Sequence, residues 1–299
     1  MSRYLQKALV RFNEYLMFQS PRKKKADFRD FKTNEIKSSD YQPVFFLSTG
    51  RTGTKFFTEL LSHSKNVCVF HSPQPEFIEQ GKIAYEAYQL LGQSDRDKTL
   101  NELISQIFVV GREELLFKTY LRNQRYMETN NRITFLAPAI KYYIPNAKFV
   151  HLHRHPGEFI RSGLRRGWYS GDLSHDKGRV EPTSNSSNFN EWNNFDSVEK
   201  IAWLWNETNQ FINDFLAQLN QDDYFVFNFN ELNREHVSQL LQFLDIDEIE
   251  DETIGRLLPQ KVNEQKTGSI DEYLNWEEAE KEKVRRICQK LADEYNYLL

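Results

Sequence analysis

Cysteine is nearly absent: Cys68 and Cys288 are the two in 299 residues. They lie far apart and match no metal-ligand or disulfide spacing, so free thiols in a reducing compartment are expected. Long apolar runs are missing too. No stretch approaches the roughly 20 apolar residues that span a bilayer. The N-terminus carries no run of about 7–15 apolar residues ahead of a small-residue cleavage site. These absences predict a cytoplasmic protein. An excess of one charge is also lacking, with 39 basic against 43 acidic side chains and a net charge of -4. That balance gives no polyanion-binding signature, and nucleic acid is not expected as a partner. What is abundant is apolar bulk. The chain is 39% hydrophobic, with 23 Phe and 14 Tyr, enough for one large core or two modest ones.

The first 32 residues break the charge balance. Nine basic side chains, from Arg3 to Lys32, face only Glu14, Asp27 and Asp30. Leu5, Leu9, Phe12 and Leu16 add an apolar helical stripe. Two readings stand: a helix docked on its own domain beside a solvated charge run, or a basic amphipathic helix in weak contact with an anionic membrane surface. The sequence divides into this basic helical extension, residues 1–40, and one domain over residues 41–299. No repeat or further boundary is visible, and nothing in the sequence speaks to oligomeric state.

Short apolar runs alternate with helix-patterned stretches. Strands are expected at Val44–Ser48, Asn66–Phe70, Glu114–Lys118, Lys148–His153 and Tyr224–Phe229. Helices are expected at Thr54–Ser62, around Leu103, Ile104 and Ile107, at Ile133–Tyr143, from Pro156 through Glu158–Arg166, and at Asp196–Leu219, Arg234–Leu244 and Glu277–Asn296. This alternation predicts an α/β fold, a three-layer αβα sandwich around a mainly parallel sheet. Gly167–Phe195 is long and poor in aliphatics, and reads either as a lid that grips a ligand through Trp168, Tyr169, Arg179 and Trp192 or as a mobile surface loop.

The most informative segment is Phe45-Phe46-Leu47-Ser48-Thr49-Gly50-Arg51-Thr52-Gly53-Thr54-Lys55-Phe56. A strand, a small-residue loop and a helix start follow in order. Gly50 and Gly53 permit tight turning and close approach of backbone amides to an anion. The unpaired N–H groups of the helix's first turn favour a phosphate. Thr52 and Thr54 add hydroxyls, and Arg51 and Lys55 add charge. The spacing is not that of G-x-x-x-x-G-K-[ST]. The glycines are too close, and Phe56 stands where a magnesium-ligating hydroxyl would be, which points to phosphate chemistry without a bound metal.

Arg51 through Phe56 resembles the 5′-phosphosulfate loop of sulfotransferases that use 3′-phosphoadenosine 5′-phosphosulfate (PAPS). Downstream, Phe149-Val150-His151-Leu152-His153-Arg154-His155-Pro156, continuing through Ser162, resembles that family's 3′-phosphate element, in which a strand-end Arg precedes a Ser by eight residues, as Arg154 precedes Ser162. Fainter echoes cover residues 43–299. Phe117-Lys118-Thr119 is similar to a Lys-Thr-Pro strand end, Asn230-Glu231-Leu232 to a Tyr-Glu-Asp-Leu element, and Lys266-Thr267-Gly268 to a degenerate Arg-Lys-Gly signature that would place Lys266 on the donor. Arg51 stands where the small-phenol enzymes carry Lys, so the pattern is closer to the protein-tyrosine and carbohydrate types.

The resemblance implies a P-loop-like topology, PAPS as donor, no metal, and a hydroxyl or amine acceptor on a carbohydrate, lipid or small metabolite. Arg51 would either follow the bridging oxygen as charge develops or clamp the ground-state phosphate alone. The base would be His71 or Glu76, after the second strand. His151, His153 and His155 alternate at a strand end, which reads as a polar terminus beside a nucleotide rather than a metal site. Trp203 and Trp205 point about 200° apart on a helix and read as core. A nucleotide or small-molecule kinase, and a non-catalytic adenine-nucleotide-binding protein, are the rival functions.

Overall fold

Alternating aromatic and aliphatic residues build the sheet of the computed structural model, which describes residues 31–32, 36, 38, 40–92, 96–171, 174–259 and 270–299. The strands are β1 (Val44–Ser48), β2 (Val67–Phe70), β3 (Arg125–Glu128), β4 (Lys148–His153) and β5 (Tyr224–Asn228). They pair in the order β2-β3-β1-β4-β5, every pairing parallel. Central β1 is buried along its whole length, as a strand covered on both faces must be.

The helices are α1 (Thr54–Leu61), α2 (Ile78–Leu91), α3 (Arg96–Leu121), α4 (Ala137–Tyr143), α5 (Pro156–Leu164), α6 (Ser197–Leu216), α7 (Arg234–Phe243), α8 (Asp251–Leu257) and α9 (Glu278–Glu294). Side-chain alternation along the strands sorts them into layers. Phe45, Leu47, Tyr126 and Phe149 enter one core with α2 to α6 and α9. Val44, Phe46, Met127, Val150 and Leu152 enter a second core with α1, α7 and α8. The architecture is the expected αβα sandwich. Among the described residues no helix is long and apolar enough to cross a membrane.

One expected strand is wrong. Glu114–Lys118 lies inside α3, and the third strand is instead Arg125–Glu128. Along α3, Leu100, Ile104, Phe108, Arg112, Leu115, Leu116 and Thr119 are all buried. That is a helical stripe whose period is hidden by an arginine. Phe117-Lys118-Thr119 is therefore no strand end. Thr119 is buried in the helix, its hydroxyl donating to the Leu116 carbonyl at 2.7 Å. Helix α2 had no clear sequence signal, because Gly81, Ala84 and Tyr85 are its only buried residues and give too narrow a stripe to read.

Two further segments settle into the fold. Within residues 167–195, several of the described side chains pack onto the domain. Trp168, Val180 and Phe195 are buried, the Tyr169 hydroxyl donates to the Val180 carbonyl at 2.8 Å, and Asn185 Nδ2 donates to the Gln89 carbonyl of α2 at 3.0 Å. Of the basic extension, residues 1–30 lie outside the described residues. Phe31 and Ile36 are buried in the first core, with the Phe31 ring against Tyr41, Phe117 and Tyr120.

The sheet order fixes where a ligand can sit. From β1 the chain runs outward to β2, and from neighbouring β4 it runs the opposite way to β5. Adjacent strands whose connections diverge leave a crevice at their C-terminal ends, where α/β proteins bind ligands. The loops at that crevice are residues 49–53 and 154–155.

Candidate active site

Backbone conformation shapes the first loop. Gly50, Arg51 and Gly53 have φ values of 80°, 61° and 83°. A side chain on Gly53 would meet the Phe229 ring at 1.9 Å. Gly53→Ala therefore meets both backbone strain and a clash, and a loss of about 1–3 kcal/mol of stability is expected. Urea denaturation checks this, and an unchanged midpoint would contradict it. Lys55 lies on α1's exposed side, while Phe56 points into the second core and gives the loop only its amide, which donates to the Gly53 carbonyl at 2.8 Å. Thr52 is fully buried, yet its hydroxyl has no hydrogen-bond partner among the described residues. An orphaned hydroxyl beside the open N-terminus of α1 fits an anion's oxygen.

The second cationic turn meets the first. Arg154, just past β4, donates through Nη1 to the Arg51 carbonyl at 3.3 Å. Arg51 Nε in turn donates to Ser162 Oγ on α5 at 3.2 Å. Trp205 is more than core, since its indole donates to the Arg154 carbonyl at 2.8 Å and fixes this turn. Burial, then Arg166 and Arg154, push the Arg51 guanidinium down to about 10, so it stays protonated at neutral pH. Among the described residues, Glu158 is a carboxylate at the cluster, pairing with Arg154 at 3.2 Å and Arg161 at 3.6 Å. Several guanidiniums held this close suit a polyanionic ligand.

His71 follows β2 directly. Its Nδ1 lies 3.1 Å from Thr129 Oγ1, which is 2.7 Å from Thr58 Oγ1. Thr58 donates its own hydrogen to the Thr54 carbonyl at 2.8 Å. In the close threonine pair Thr129 is then the donor, in preference to its longer 3.3 Å contact with the Phe70 carbonyl. With that hydrogen spent, His71 Nδ1 donates to Thr129, and the Nε2 lone pair is left to accept a proton. Burial, then Lys55 and Arg51, lower His71 to about 4. Glu76 sits farther along the same segment, accepting from Gln74 Nε2 at 3.0 Å.

That segment hangs on a buried ion pair. Glu128 at the end of β3 takes Arg112 Nε at 2.8 Å, Arg112 Nη2 at 2.9 Å, the Tyr126 hydroxyl at 2.6 Å and Asn130 Nδ2 at 3.1 Å. Arg112 also donates to the Pro75 carbonyl at 2.9 Å and the Pro73 carbonyl at 3.4 Å, and Asn130 Nδ2 reaches the Glu76 carbonyl at 3.3 Å.

The three alternating histidines have separate partners. His151 Nε2 meets Asn209 Oδ1 at 2.9 Å, His153 Nδ1 meets the Tyr297 hydroxyl at 2.9 Å, and His155 Nε2 meets the Leu298 carbonyl at 2.8 Å. Among the described residues no group of three or more His, Cys, Asp or Glu could hold a metal ion. Burial lowers His151 to about 4 and, together with His151, lowers His153 to about 3. With His71, these imidazoles stay neutral in the folded chain while the unfolded chain protonates them below 6.5. The stability they contribute is complete above 6.5 and is lost as pH falls toward 4. The slope reaches about 1.4 kcal/mol per pH unit for each group. Urea midpoints should fall steeply between these limits, and a flat profile would contradict the assignment.

The segment Asn230-Glu231-Leu232 does reach the site, since Asn230 Oδ1 accepts from the His155 amide at 2.7 Å and neighbouring Phe229 caps Gly53. Lys266 lies outside the described residues. The sequence reading missed Thr58, Thr129, the Arg112–Glu128 pair and Arg166, whose Nη1 donates to Ser162 Oγ at 2.8 Å. Of these, only Arg166 had a usable signal, its i+4 spacing from Ser162 on a helical face.

Comparisons with known proteins bear on the fold and the family. The fold is similar to the sulfotransferase domain from the curacin biosynthetic pathway, at 15% identity over 87% of this chain and 99% of that one, with a TM-score of 0.51. It is equally similar to the sulfotransferase domain from the Synechococcus PCC 7002 olefin synthase, at 16% identity over 87% and 97% of the two chains, TM-score 0.51. No curated protein matches the sequence. The model of the sulfotransferase family matches residues 43–251, a span that holds both cationic turns, His71 and the whole sheet, and the chain belongs to that family.

Proposed function

We propose that this chain moves the sulfuryl group of PAPS to a hydroxyl, or an amine, of a carbohydrate, lipid or small-metabolite acceptor and releases 3′-phosphoadenosine 5′-phosphate (PAP). The observation that carries the reading is the meeting of the two cationic turns, Arg154 on the Arg51 carbonyl and Arg51 on Ser162. A donor with phosphates at opposite ends of one nucleoside would occupy both turns. Thr52, Thr54, Lys55 and the first-turn amides of α1 hold the 5′ end. Arg154 and Ser162 hold the 3′-phosphate. PAPS, when bound, supplies an activated sulfuryl group on a good leaving phosphate.

The chain's own groups do the remaining work. Arg51 neutralises charge that develops on the departing phosphate, and its hydrogen bond to Ser162 holds it in place for this. His71 accepts the acceptor's proton at Nε2, with Thr129 and Thr58 fixing the tautomer. Burial is the main cause that weakens His71 as a base, and the smaller contribution from Lys55 and Arg51 would be offset by an anion at the loop.

His71→Ala is expected to lower kcat by about 10²–10⁴, and by more than Glu76→Ala does. The reverse order would assign the base to Glu76, and near-normal turnover in both would place it elsewhere. The reaction itself is tested by incubating the protein with PAPS and pooled cell metabolites, with mass detection of a sulfate adduct. No adduct from any fraction, beside PAP binding by calorimetry, would favour a non-catalytic nucleotide-binding protein.

A further inference from the structure

Ser162 is one hydroxyl shared by two arginines. Arg51 Nε donates to its Oγ at 3.2 Å and Arg166 Nη1 at 2.8 Å. Arg166 Nη1 also donates to the Ser162 carbonyl at 2.9 Å, so its guanidinium is pinned along α5. A serine hydroxyl has two acceptor lone pairs and one hydrogen. Both lone pairs are taken by guanidiniums, and the hydrogen donates to nothing among the described residues. The hydroxyl is thereby left as a donor only. A donor flanked by two guanidiniums favours an anionic acceptor, such as a phosphate oxygen, over a neutral one.

We infer that Arg166 is a positioning residue of the donor site, which turns the Ser162 hydroxyl toward the second phosphate of a bisphosphorylated nucleotide and, through the shared oxygen, ties that phosphate to Arg51. This rests on the reading of a 3′,5′-bisphosphorylated donor. Arg166 lies just past the C-terminal end of α5, is only partly buried, and its removal leaves no buried charge alone.

The test compares PAP with 5′-AMP, which lacks the 3′-phosphate, by calorimetry on the wild type, Arg166→Gln, Arg166→Lys and Ser162→Ala. Loss of one charge-assisted hydrogen bond corresponds to about 10–100-fold in affinity. Arg166→Gln should weaken PAP by that factor and AMP by less than about twofold, Arg166→Lys should fall between, and Arg166→Gln should add little in a Ser162→Ala background. Equal weakening of PAP and AMP, or no change in their ratio in either Arg166 variant, would overturn the inference while leaving the donor assignment intact. A wild type that binds PAP no more tightly than AMP would instead overturn the donor assignment, and this inference with it.

Discussion

Arg51→Met is expected to lower kcat by about 10²–10³, the loss typical of removing one preorganised donor to developing charge. The expectation follows from how the side chain is held. Arg51 has φ 61°, its carbonyl takes Arg154, and its Nε rests on Ser162. A guanidinium held at Nε, on a backbone that Arg154 fixes, would need little rearrangement if charge builds on a departing phosphate. Arg51→Lys separates the two roles open to it. Lysine keeps the charge but loses the planar fork that spans Ser162 and a phosphate oxygen. If Arg51 acts at the transition state, kcat falls with kcat/KM. If KM for PAPS rises while kcat holds, Arg51 is a ground-state clamp and the charge-stabilising role is withdrawn.

Arg112→Met is expected to cost about 3–5 kcal/mol of folding stability, the range for breaking a buried ion pair from one side. Both partners are fully buried, and Glu128 would keep only Tyr126 and Asn130 as donors. Replacing both members, Arg112→Met with Glu128→Leu, should recover a large part of that loss, because no charge is then left buried. Urea denaturation of the two variants decides the matter. A single variant within about 1 kcal/mol of the parent, or a double variant worse than the single, would contradict the account. The consequence reaches the site, since Arg112 holds the Pro73 and Pro75 carbonyls and so sets the course of the segment that carries His71 and Glu76.

The same ion pair explains where the sequence was opaque. Arg112 sits in the middle of a buried helical stripe, and Glu128 ends a strand that faces the same core. Each reads as a surface residue, so each breaks the period of its own element. Only their contact across the fold, invisible in one dimension, cancels both charges. The flanking run Leu115-Leu116-Phe117 then imitates a strand. By contrast, β1, β4 and α6 were legible from local signals: β1 and β4 are short apolar runs buried on both faces, and the Asp196–Glu199 capping box marks the start of α6.

The site divides along the same line. The turn at residues 49–53 could be read because consecutive residues make it: glycines at positive φ, hydroxyls, cations and a helix start. Arg154 and Ser162 could be read because one strand end and one helix turn fix their spacing. The histidine tautomer could not, for it depends on Thr58 and Thr129 from two other elements. Nor could the contact of Arg51 with Ser162, 111 residues apart in the chain.

The most direct test of the central claim is the structure of the protein crystallised with PAP. The account predicts one molecule bridging the crevice beyond β1 and β4, its 5′-phosphate against Thr52 and the start of α1, and its 3′-phosphate against Arg154 and Ser162. Density for PAP at any other surface, or one phosphate in the crevice with the other turned to solvent, would contradict it.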